Sequence, residues 1–245
     1  MPVEQLIENC LNNNSNSNRR PLIIDTDADV DDLWAIHYLV NVPTIDVLAI
    51  TTVGNAFSGP FYSASNILRL LDLIGCKNHI PVAYGLSLPL LSPGWKLPDT
   101  MLNGINTYLT APTCLNQSAA NIFIQPSPFE AVELIKLTLK YSIKPVDILV
   151  LGTMTNIAAA ITEDRSIIPK IGTLYFSGGQ FKSVADYSSL IPSLQSMTFP
   201  YSSKTSQSSS NVFLDVLAMQ RVGESGIENF VAMPSLTERQ LPVGQ

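Results

Sequence analysis

Residues 22–32 place five carboxylates directly behind a short apolar run: Leu22, Ile23 and Ile24 lead into Asp25, Asp27, Asp29, Asp31 and Asp32. An apolar run of that length has the composition of a strand buried on both faces. From Leu33 the pattern changes to helical spacing, with apolar Leu33, Ile36, Leu39 and Val40 and Trp34 alongside. The reading is strand, acidic turn, helix, with Asp31 and Asp32 near a helix N-terminus where the macrodipole favours negative charge. Carboxylates this close repel one another, and a turn at the carboxyl edge of a buried strand needs a cation to offset that repulsion. Hard divalent ions with oxygen ligands, Ca²⁺ or Mg²⁺, suit it best. An exposed acidic turn with an N-cap is the plainer alternative. The apolar flanks weigh against it, because open α/β sheets hold their ligands at such strand ends.

Further strands and helices alternate along the chain. Strands are expected at 45–53, 80–84, 147–151, 171–176 and 229–233, and helices at 63–74, 129–141, 157–161 onward and 211–222. Gly75 is placed to end the 63–74 helix. This alternation implies right-handed βαβ crossovers and a mostly parallel, Rossmann-like open sheet with helices on both faces. Residues 1–20, with the polar run NNNSNSN, read as a flexible arm ahead of one domain over 21–245. Residues 85–128 read as a partly helical insertion over the site. The 182–210 stretch, with eleven serines, reads as a second loop.

Composition narrows the function. A 46% hydrophobic, 14% charged chain describes a buried globular core, and a net charge of −6 argues against a nucleic-acid surface. It does not exclude nucleosides, which carry no phosphate. Cys10, Cys76 and Cys114 are scattered without metal or disulfide spacing, so a reducing cytoplasm is the expected setting. No apolar run reaches the ~18 residues of a membrane span.

The motif DTDADVDD after an apolar strand resembles the N-terminal signature of the inosine/uridine-preferring nucleoside hydrolases, the nucleoside N-ribohydrolases. Further blocks follow in family order over roughly residues 21–240. TTVGN at 51–55 is similar to the strand end that delivers an asparagine to the ribose. LGTMTNIAAAI at 151–161 is similar to the family's LGPLTNIA. FSGGQF at 176–181 resembles its MGG turn, and 210–227 resembles AEFN followed by a D-P-x-A-A helix.

This resemblance implies Ca²⁺-dependent hydrolysis of the N-glycosidic bond of ribonucleosides, and a homodimer or homotetramer. It implies Asp27, Asp32 and the Thr155 carbonyl as calcium ligands, Asp31 as proton acceptor and ribose ligand, and Asn55 and Asn211 as further ribose ligands. Each has a structural alternative: Asp25 as a brace of the strand end, Asn55 as a turn residue, Thr155-Asn156 and Asn211 as helix caps. His37 and His79 are expected to be structural.

The chain also departs from the pattern. Ala28-Asp29 stands where the family has Pro-Gly, which adds a carboxylate and removes a flexible residue. Asn103-Gly104 stands for a His-Gly pair, Ser177 for the MGG methionine, and Ser209 for the AEFN glutamate. Gln245 falls before the family's C-terminal His and Asp, and an apolar edge is expected to be left open there. A truncated or catalytically impaired calcium- or nucleoside-binding homologue is therefore the second expectation. A phosphatase-like hydrolase holding Mg²⁺ ranks last, since no Lys or Arg motif for phosphate is evident.

Overall fold

The computed structural model describes residues 18–75, 80–94, 99, 105–106, 109, 126–179 and 209–234. Among them six strands form one sheet: β1 (Arg20–Thr26), β2 (Ile45–Thr52), β3 (Val82–Ala83), β4 (Val146–Val150), β5 (Ile171–Ser177) and β6 (Phe230–Met233). Their order is β3-β2-β1-β4-β5-β6, and every neighbouring pair is parallel. The chain runs outward from β1 through β2 to β3, then returns to the other side of β1 for β4. The gap above β1 and β4 is the switch point at which such sheets open a ligand crevice. The acidic turn leaves β1 there.

The helices are α1 (Val30–Asn41), α2 (Pro60–Leu73), α3 (Ala131–Tyr141), α4 (Thr155–Glu163), α5 (Ser210–Phe213) and α6 (Val216–Gly223), with a 3₁₀ turn at Arg165–Lys170. Two cores lie on the two faces of the sheet. Leu33 and Ile36 of α1 and Ile67 and Leu71 of α2 pack with Leu22, Ile24 and Ile50. Leu134, Ile157, Ala218 and Val222 of α3, α4 and α6 pack with Ile23, Ile148, Leu174 and Phe176. Alternating strand residues thus serve opposite cores, as the pleat dictates. Beyond α1 on the first face, Leu149, Leu151, Tyr175, Val231 and Met233 line an apolar cleft of about 530 Å³.

Several expectations are refined. Gly75 does end α2, in the left-handed conformation at φ 78°. The expected strand at 80–84 pairs over two residues only, with β2. The expected 211–222 helix is two helices, because Asp215 breaks it at φ −152°, ψ 78°. Trp34, grouped with the apolar face of α1, is exposed. Most of 85–128 and 182–210, together with His79 and Asn103-Gly104, lies outside the described residues.

Candidate active site

The turn after β1 is held by its own side chains. Thr26 Oγ1 accepts from the Ala28 amide at 2.9 Å and donates to Asp32. Asp29 is the N-cap of α1 and accepts from the Val30 amide at 2.7 Å. Position 29 is extended, at φ −65°, so no glycine is needed there; the left-handed residue is Ala28, at φ 57°. In this chain the left-handed position is thus filled by a non-glycine residue, Ala28, and the turn is kept.

Asp27 and Asp32 are brought together and buried. Asp27 is anchored from the segment after β2: the Phe57 amide donates to its carboxylate at 3.1 Å, and Ser58 donates to its carbonyl at 2.7 Å. Gly152, just after β4, backs directly onto it. A Cβ at position 152 would meet Val53 Cγ1 at 2.8 Å and the Asp27 amide nitrogen at 3.1 Å. Desolvation raises both carboxyls above their usual range, and each acts on the other. Among the described residues, no Lys, Arg or His acts on either of them.

Asp31, by contrast, is exposed on the first turn of α1, and its Oδ1 accepts from the Asp32 amide at 3.1 Å. Asp25 braces the strand ends, the role that was its alternative reading. It accepts from Thr51 Oγ1 at 2.6 Å and from Asn156 Nδ2 at 2.8 Å. Its other oxygen is buried without a hydrogen-bond partner among the described residues.

The far wall is polar and tightly bonded. Asn55 Nδ2 donates to Thr155 Oγ1 at 2.7 Å, and Thr153 Oγ1 donates to Asn55 Oδ1 at 2.7 Å. Thr155 opens α4, but its hydroxyl does not cap that helix; the N-cap is Met154. Asn156 is likewise no cap. It is buried and bridges Asp25, the Thr52 carbonyl and the Leu86 amide. Asn211 lies within α5, whose N-cap is Ser209. Both Asn211 amide hydrogens are used, on the carbonyls of Leu151 (2.6 Å) and Ser177 (2.9 Å), so the strand ends of β4 and β5 fix it.

Asp215 was missed. It is buried at the α5–α6 break and accepts Thr155 Oγ1 at 2.7 Å. An acidic N-cap ahead of the apolar-periodic VLAM segment was the available signal.

The donor set suits a hard cation. Two buried carboxylates repel each other without a basic neighbour, and all the donors are oxygens. They supply only part of the ~6–8 oxygens that Ca²⁺ takes, which leaves places for a backbone carbonyl, water and substrate hydroxyls. Among the described residues, no three or more His, Cys, Asp or Glu side chains form a metal cluster.

Comparison with known proteins gives a consistent picture. The profile of the family described as inosine-uridine preferring nucleoside hydrolase matches residues 22–243. A pyrimidine-specific ribonucleoside hydrolase of Photobacterium profundum is 34% identical over 161 residues, covering 65% of this chain and 48% of that protein. Uridine nucleosidase 1 of Arabidopsis thaliana is 30% identical over 187 residues, covering 74% of this chain and 52% of that protein. The chain thus spans about half the length of these curated relatives. The crystal structure of an inosine-uridine preferring nucleoside hydrolase from Bacillus anthracis superposes with a TM-score of 0.72 at 21% identity. That match covers 92% of this chain and 68% of the other.

Proposed function

The chain belongs to the inosine-uridine preferring nucleoside hydrolase family, and on that premise we propose that the protein hydrolyses the N-glycosidic bond of ribonucleosides with the help of Ca²⁺. The observation that carries this reading is the buried Asp27–Asp32 pair, set at the sheet's switch point without a basic side chain acting on it. Asp27, Asp32 and the Thr155 carbonyl would hold the ion. When bound, Ca²⁺ supplies Lewis acidity toward water and sugar hydroxyls.

Asp31, exposed beside the pair, accepts a proton from the attacking water. That water adds to the anomeric carbon as the C–N bond breaks, through an oxocarbenium-like transition state. The base departs with the bonding electrons and takes up a proton. Asn55 retains one amide hydrogen and an Oδ1 lone pair after its two threonine bonds, so it can both donate to and accept from ribose. Asn211, with both hydrogens used, offers ribose only its oxygen. Holding the sugar in this way lowers the barrier by orientation.

A homodimer or homotetramer in the cytoplasm fits this reading. Among the described residues, no helix is long and apolar enough to cross a membrane. The test is to incubate the folded chain with inosine, uridine, adenosine, guanosine and cytidine and to separate the products. Ribose and free base in equal amounts support the proposal. Intact nucleosides throughout would move the reading to a binding-only homologue.

A further inference from the structure

Asp215 sits where the 210–223 segment breaks between α5 and α6, and four donors converge on its carboxylate. Oδ2 accepts from Thr155 Oγ1 and from the Leu90 amide, each at 2.7 Å. Oδ1 accepts from the Ala218 amide at 3.1 Å and the Leu91 amide at 3.4 Å. Each oxygen takes two donors, so the carboxylate serves here as an acceptor.

That fixes the sense of every hydrogen bond further along. A threonine hydroxyl carries one hydrogen. The Thr155 hydrogen points at Asp215, so Thr155 Oγ1 can only accept on its other side, and an N–H must face it from Asn55. The Asn55 oxygen is thereby turned to Thr153, whose single hydrogen it takes. Thr153 and Thr155 lie 2.9 Å apart, yet neither hydrogen remains for a bond between them. The amide orientation of Asn55, which the covalent geometry leaves open to a flip, is set by a carboxylate two side chains away.

We infer that Asp215 is a positioning residue: through Thr155 it fixes which end of the Asn55 amide faces the site, and hence which sugar hydroxyl is donated to and which donates. The sugar half of this statement rests on the nucleoside reading above; the orientation half does not. Asp215 also pins the amides of Leu90 and Leu91, so the strand-exit segment after β3 is held to the same anchor.

The experiment compares the full chain with Thr155→Ser, Thr155→Val and Asp215→Asn. The side-chain amide resonances of Asn55, assigned by their loss in Asn55→Ala, are followed by ¹⁵N NMR. Uridine turnover is measured on the same samples. Thr155→Val keeps the volume and removes the hydroxyl, and Thr155→Ser restores it. The Asn55 amide signals are expected to shift and to exchange faster in Thr155→Val and Asp215→Asn, and to stay near their original positions in Thr155→Ser. KM for uridine is expected to rise roughly tenfold in Thr155→Val and Asp215→Asn, the size of one lost hydrogen bond, with a smaller change in kcat.

Asn55 signals unchanged in Thr155→Val would overturn the inference whatever the activity. If Asp215→Asn fails to fold, unchanged Asn55 signals in Thr155→Val still overturn the inference, because Asp215 reaches Asn55 only through the Thr155 hydroxyl. A chain that turns over no nucleoside but shows the NMR pattern would sink the nucleoside reading and leave the positioning role standing.

Discussion

The side-chain amide of Asn156 donates to the Asp25 carboxylate at 2.8 Å and ties the first turn of α4 to the end of β1. Asp25 is fully buried, and desolvation pushes its carboxyl from 3.8 up to about 7, against the hydrogen bonds from Thr51 and Asn156. Between these two values the unfolded chain loses a proton that the folded chain keeps, so the folded state binds more protons and stability falls as pH rises. The loss begins near pH 4 and is complete above about 7. In EDTA, denaturant unfolding is expected to show a decline on the order of a few kcal/mol across that window. Asp25→Asn, which mimics the protonated form, is expected to reduce the decline. A pH dependence unchanged by the substitution would contradict the assignment.

Asp27 and Asp32 make a second prediction, about cation binding. A ligand that binds only the folded state stabilises it by mass action, and at a hundredfold excess over Kd the melting temperature should rise by roughly 5–10 °C for a chain of this size. Calcium is expected to produce that rise in the unsubstituted chain and not in Asp27→Asn or Asp32→Asn. Because burial raises both carboxyls above their usual range, protons compete with the ion and the apparent calcium affinity should weaken as pH falls. Calorimetric titration at two pH values measures both effects.

Gly152 marks the closest backbone approach to the acidic turn. A methyl there would press on Val53 and on Asp27, both buried. Gly152→Ala is expected to destabilise the chain by about 1–3 kcal/mol, read from the urea midpoint. It should also weaken the calcium response, since Asp27 must move.

Asn55→Ala removes one donor and one acceptor from the proposed ribose face. It should lower kcat/KM for a nucleoside by roughly 10- to 100-fold while leaving the calcium-induced shift in melting temperature largely intact. A loss confined to the calcium response would place Asn55 in the wrong half of the site.

Much of this was legible in the chain itself. The β1–turn–α1 unit shows because a strand buried on both faces and an amphipathic helix carry different periods, and the acidic residues fall between them. The parallel sheet follows from the alternation of elements. What stayed hidden is long-range. Asp215 lies inside a run of helix-compatible residues; its capping bond to the Ala218 amide is local, but its bonds to Thr155, Leu90 and Leu91 are all remote in sequence. Asn156 looked like a helix cap, because a polar residue at a helix start has the same local signature whether it caps or bridges. Asn211 was legible as a polar side chain near the site, but its commitment of both hydrogens to strand carbonyls was not.

The role of the buried carboxylate pair is tested most directly by ribose release from uridine and inosine by the folded chain in calcium and in EDTA, beside Asp31→Ala and Asp27→Asn. Release is expected to need calcium, to fall steeply in Asp31→Ala and to be lost in Asp27→Asn. Release that proceeds equally in EDTA, or that survives Asp27→Asn, would contradict the claim that the buried carboxylate pair is the centre of the chemistry.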